Sequence, residues 1–153
     1  MNPNSASQTA APSVLPREDT LQIMRLNAEA RLPKRLDIGA AGYDLYACGT
    51  QSGRLIGTGI AVAIPEGWVG IIKDRSSIAL SGRAFAVAGV IDSSYRGEIK
   101  IVFDRDLDVA DGERIAQMVV VPHFSGDVVE VSSLSDTERG TGGFGSTGRG
   151  HDD

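Results

Sequence analysis

Residues Ile60-Ala61-Val62-Ala63-Ile64-Pro65-Glu66-Gly67-Trp68-Val69-Gly70-Ile71-Ile72 set the fold class. An apolar run stops at Pro-Glu-Gly, a turn signal, and resumes as a second apolar run. Short apolar segments bracketing such a turn predict strands. The same grammar repeats on both sides. Leu21, Ile23 and Arg25 alternate with Gln22, Met24 and Leu26. Phe85 to Ile91, Ile99 to Phe103 and Ile115 to Val121 are further apolar or β-branched runs, most of them bounded by Gly, Pro, Asp or Ser. No long window carries a helical period, and only Ser76 to Leu80 predicts a short helical turn. Many short strands predict an all-β domain, a jelly-roll-like sandwich or barrel. No internal repeat is visible.

The chain has 153 residues, enough for one domain with a proper core. Residues 1–18 are rich in Ser, Ala, Asn and Pro, and predict a disordered tail. Residues 19–135 form the predicted β domain, and 136–153 a flexible Gly-rich arm with one aromatic, Phe144. Fifteen Lys and Arg against twenty Asp and Glu leave a net charge of −5. That balance argues against general nucleic-acid binding, which needs clustered cations. Cys48 is the only cysteine, so no intrachain disulfide forms. No apolar run approaches the ~20 residues of a membrane span, and no secretory signal is visible. These features predict an intracellular, cytoplasmic protein without membrane contact.

Several segments carry chemistry. Ala88 to Ile99 reads as a hairpin with apolar arms and a tip of Asp92, Ser93, Ser94, Tyr95 and Gly97. Asp92 at the rim of an apolar strand is a general-base candidate, with Tyr95 a flat wall beside it. An ordinary wet hairpin tip is the plain alternative. Arg75-Ser76-Ser77 at a strand-to-turn junction suits anionic oxygens through charge-assisted bonds, or else caps a helix. Gly140-Thr141-Gly142-Gly143-Phe144-Gly145 matches G-x-G-x-x-G, but too few residues follow to build a βαβ unit. What remains is a run of bare backbone N–H groups suited to phosphate, with Arg139 beside it and Phe144 able to stack. Gln117 stands as a polar residue in an apolar strand. His123 and His151 are too far apart to suggest a metal site or a triad.

Taken in order, Ala41-Gly42-Tyr43-Asp44-Leu45, Arg75 to Ala79, Gly89 to Gly97, Gly112 to Gln117 and Arg139 to Gly145 resemble the five motifs of the trimeric dUTP diphosphatases (dUTPases). The resemblance covers about Leu21 to Gly148. It implies a jelly-roll subunit and a homotrimer with active sites shared between chains. It also implies Mg²⁺-dependent hydrolysis of dUTP to dUMP and pyrophosphate, which limits uracil in DNA and supplies dUMP for dTMP synthesis. By position, Asp92 matches the general base and Tyr95 the residue under the sugar. Gly89, Val90 and Ile91 match the segment that reads uracil, and Lys100 a contact to base or hairpin. Arg75, Ser76, Ser77 and Gln117 match phosphate contacts. Arg139, Phe144 and Gly145 match the closing arm. Asp44 matches a carboxylate near the metal's water shell, and most of the Mg²⁺ coordination would come from substrate phosphates.

Two positions depart from the pattern. Asp74 stands where many relatives have proline, placing a negative charge beside Arg75. Ala86 stands where some bacterial members carry an asparagine that pairs with uracil. Two rival functions are a dCTP deaminase, which resembles this family in fold, and a nucleotide-gated interaction protein switched by its arm.

Overall fold

In β6 (Glu98–Val109), Ile99, Ile101, Phe103, Leu107 and Val109 are buried. Lys100, Asp106 and Asp108 point the other way, into solvent. Such a period of two gives a strand one wet and one dry face. Its dry face needs a second sheet, and the computed structural model, which describes residues 20–143, supplies one.

One sheet holds β1 (Gln22–Arg25), β3 (Gln51–Ala63) and β6, in the order β1-β3-β6. The other holds β2 (Gly42–Tyr46), β4 (Trp68–Lys73), β5 (Val90–Ile91) and β7 (Arg114–Pro122), in the order β2-β7-β4-β5. Every pairing is antiparallel. Phe103, Leu45, Ile56, Ile60, Ile99, Ile101, Ile115 and Met118 fill the core and are fully shielded from water. Burying side chains of this size contributes about 1.5–3 kcal/mol each. Thr58 is buried among them because its hydroxyl donates to the Ile99 carbonyl at 2.5 Å. The single helix among the described residues, α1 (Ser76–Ser81), ends at Gly82 with φ 68°. No helix there is long and apolar enough to cross a membrane.

The all-β sandwich agrees with expectation, but three local readings change. The strand expected at Ile60–Ile64 is the end of a much longer β3, whose first half hides behind Gly53, Gly57 and Gly59. The run Phe85–Ile91 is a strand only at Val90–Ile91; upstream, Ala86 forms a lone bridge to Phe103. The segment 88–99 is not a hairpin. β5 pairs with β4 in one sheet, while β6 pairs with β3 in the other. The turn between them crosses from sheet to sheet, closed by Tyr95 N–H donating to the Asp92 carbonyl at 3.1 Å.

After Pro122 the chain leaves the sandwich and runs exposed. Phe124, Val128, Val129, Val131 and Leu134 all face solvent, Val128 completely. The predicted tail at 1–18, together with Phe144, Gly145 and His151 of the arm, lies outside the described residues.

Candidate active site

The sheet-to-sheet turn builds the first hollow. Val90 and Ile91 pair with Ile71 and Gly70 along one edge only, since β5 is the last strand of its sheet. Its other edge offers backbone donors and acceptors to a ligand. Gly89 lets the chain come this close: its carbonyl accepts the Ile72 N–H at 2.8 Å. A Cβ there would stand 2.6 Å from that of Ile72.

Asp92 follows β5 and is exposed. Tyr95 is 45% exposed and donates its hydroxyl to the Glu98 carbonyl at 3.1 Å. Its ring lies over Gly97, on the side where a Cβ would collide with it. Lys100 enters from β6, its ammonium 3.4 Å from Glu98 Oε2. Val90, Ile91, Asp92, Tyr95 and Lys100 therefore line one hollow of about 330 Å³.

A second hollow, about 530 Å³, takes Asp44, Asp74, Arg75, Ser76 and Gln117. Arg75 precedes α1 and serves as its N-cap residue without any side-chain cap bond, so the helix leaves the serines uncommitted as caps. Ser76 and Ser77 are exposed in the first turn. Arg75 Nε donates to Asp44 Oδ1 at 3.1 Å, and Arg114 Nη1 to Asp44 Oδ2 at 3.3 Å. Asp44 thus holds two guanidiniums at the hollow's rim.

Gln117 sits in register with Asp44 on one side and Lys73 on the other. Its amide crosses over Gly42, where a Cβ would run into it, and donates to the Asp74 carbonyl at 2.9 Å. Gln117 thus faces away from the core, opposite buried Ala116 and Met118, but is half-buried with its amide engaged. Gly42 in the first motif and Gln117 in the fourth are two parts of one contact.

Asp74 has a role the sequence did not suggest. Its carboxylate accepts the Ala86 N–H at 2.6 Å, tying the end of β4 to the segment that leads into Gly89. Its charge is directed at a backbone donor, while Arg75 pairs with Asp44. The two positions that depart from the expected motifs are bonded to each other. Glu98 was also missed. It sits across from Gly57 and Gly59, accepts the Gly59 N–H at 2.9 Å and carries the carbonyl that Tyr95 uses. Its only signal in the sequence was its place directly after Gly97.

The two hollows share no lining residue. Arg139 is in neither; it lies exposed with Nε donating to the Gly142 carbonyl at 2.8 Å. Within one chain, the candidate base and sugar wall stand apart from the candidate phosphate contacts.

Metal fit follows from the donors. Among the described residues, no three His, Cys, Asp or Glu side chains gather closely enough to hold an ion. Asp44 is engaged by arginines and Asp74 by a backbone N–H. That set does not cage a bare cation, but it fits a hydrated Mg²⁺ carried on phosphates and met through water.

Comparison with known proteins gives one answer. The dUTPase family model matches residues 28–148. A deoxyuridine 5′-triphosphate nucleotidohydrolase from Hydrogenobaculum sp. is 41% identical over 140 residues, covering 84% of this chain and 97% of that one. The Staphylococcus bacteriophage 80alpha dUTPase, solved with dUpNHpp, superposes with a TM-score of 0.79 at 30% identity. That match covers 85% of this chain and 99% of the phage protein. A mutant dUTPase from phage phi11 of S. aureus, described as coordinating a structural Mg(II) ion, superposes with a TM-score of 0.70 at 26% identity, covering 76% and 99%.

Proposed function

The chain belongs to the dUTPase family, and on that premise we propose how its residues divide the hydrolysis of dUTP to dUMP and pyrophosphate. The observation that carries the assignment is the first hollow, where a carboxylate, an aromatic wall and a free strand edge meet. The Asp92 carboxylate takes a proton from water. The water oxygen bonds to the α-phosphorus, the bond to the bridging α–β oxygen breaks, and pyrophosphate leaves. Such base assistance contributes about 10²–10⁴ in rate.

Uracil presents an acceptor, a donor and an acceptor along one edge. The open side of β5, with Gly89, Val90 and Ile91, supplies the complementary backbone groups. Cytosine replaces the O4 acceptor with an amine, so the same edge disfavours it. Lys100 adds a cation at the hollow's far wall. The Tyr95 ring, fixed through Glu98, packs under the sugar and leaves no room at C2′ for a hydroxyl.

Arg75, Ser76, Ser77 and Gln117 take the phosphates. They lie apart from Asp92 in one chain, which supports a site completed by a second copy. Five exposed apolar side chains between Phe124 and Leu134 support assembly too, since clustered exposed apolar surface marks interfaces. We take the assembly to be a homotrimer, with Arg139, Phe144 and Gly145 closing over the substrate. Mg²⁺ bound to the phosphates, with Asp44 reaching its water shell, would draw off negative charge and align the chain of phosphorus atoms. The reaction belongs inside the cell, where dUTP arises.

Pyrophosphate release from dUTP, dCTP, dTTP and UTP, with Mg²⁺ and with chelator, tests this reading. Release from dUTP alone, lost with chelator, is the expected result. Ammonia from dCTP, or release from no nucleotide, would overturn it. Tyr95→Ala is expected to raise the rate on UTP relative to dUTP by about tenfold or more, because the steric barrier at C2′ goes. An unchanged ratio in parallel kcat/KM measurements would remove Tyr95 from that role.

A further inference from the structure

A third hollow, about 500 Å³, adjoins the phosphate hollow and shares Leu36, Asp44 and Arg114 with it. Arg31, Lys34, Arg35 and Arg114 bring four cations to its wall, against Asp44 and Glu113. Both carboxylates are already committed. Asp44 holds Arg75 and Arg114, and Glu113 accepts from Arg83 Nη1 at 2.6 Å and from the Ala110 N–H at 3.1 Å. Burial pushes the Glu113 carboxyl up, but these donors outweigh it and hold it below the usual range. Among the described residues, Arg31, Lys34 and Arg35 form no ion pair.

Their placement is structured. The Arg31 guanidinium lies against Gly112, in the space a Cβ would need. The Lys34 carbonyl accepts the Asp44 N–H at 2.9 Å, fixing the loop to β2. The Arg35 guanidinium sits 5.5 Å from the centre of the Tyr43 ring. Three uncompensated cations on a chain of net charge −5 make a local anion trap beside the proposed phosphate contacts.

We propose that this hollow is a pyrophosphate site, receiving the leaving group as it departs the phosphate hollow past Arg114. The inference rests on the dUTP reading and adds an exit station to it. Pyrophosphate is a compact polyanion, and several guanidiniums and an ammonium match its oxygens by charge-assisted bonds. The shared wall at Asp44 and Arg114 makes the transfer short.

The test is calorimetric titration of the full-length assembled protein with inorganic pyrophosphate, without metal, and separately with dUMP. A variant carrying Arg31→Ser, Lys34→Ser and Arg35→Ser is expected to bind pyrophosphate about tenfold or more weakly, with dUMP affinity unchanged. The single change Lys34→Glu, at an exposed side chain, is expected to move affinity the same way to a lesser extent. Equal pyrophosphate affinity in wild type and both variants overturns the proposal. So does a parallel loss of dUMP affinity in both, because the residues then serve the fold. Wild-type dUTP turnover, measured alongside, separates the outcomes: turnover with no sensitivity of pyrophosphate binding sinks the exit site alone.

Discussion

Replacing Asp92 with asparagine is expected to lower kcat for dUTP by about 10²–10⁴-fold, with binding of a non-hydrolysable dUTP analogue nearly intact. The amide keeps the shape of the carboxylate and loses its capacity to accept a proton from water. Asp92 is exposed, so the change empties no core position. The Asp92 group that organises the turn is its backbone carbonyl, which accepts from Tyr95 and survives the substitution. Single-turnover rates and analogue titration separate the two effects. Loss of binding together with turnover would assign Asp92 to substrate placement.

Ending the chain after Glu138 is expected to cost about 10²–10³ in kcat/KM or more, with the thermal transition of the remaining domain unchanged. Arg139 is exposed, and the hydrogen bonds of residues 139–142 stay within 137–142, so the described part of the arm ties no strand of the sandwich. What goes is the guanidinium proposed for the γ-phosphate, the Gly-rich N–H groups and the Phe144 ring proposed to close over the substrate. Restoring the chain only as far as Gly143 should recover part of the loss, through Arg139 and the N–H groups of residues 140–143. Full activity in the shorter chain would take the closing arm out of the mechanism.

Much of the fold was legible in the sequence because the strands alternate. Ile99, Ile101 and Phe103 declare their face by spacing, and Pro65-Glu66-Gly67 declares a turn. The first half of β3 was not legible. Gly53, Gly57 and Gly59 read as breakers, yet Gly57 makes room for Glu98 of β6 and Gly59 for Cys48 in the turn after β2. Partner choice was illegible as well: the apolar arms around Asp92 look as if they should pair, and nothing local says that they belong to different sheets. At the site, residue identities and order carried the candidates. The couplings did not show, because Gly42 under Gln117 and Asp74 on Ala86 are contacts between residues far apart in the chain.

The bare ribbon from Phe124 to Leu134 has a consequence for how much enzyme a cell obtains from a given amount of synthesis. If the proposed homotrimer covers this ribbon, a chain fresh from the ribosome carries five large apolar side chains in the open until it meets other copies. In that interval it is a client for chaperones and a target for proteases. Assembly is a race against those fates, and its rate climbs with the number of chains present. Finished enzyme therefore rises more steeply than expression at low levels, and modest underproduction removes more activity than it removes protein.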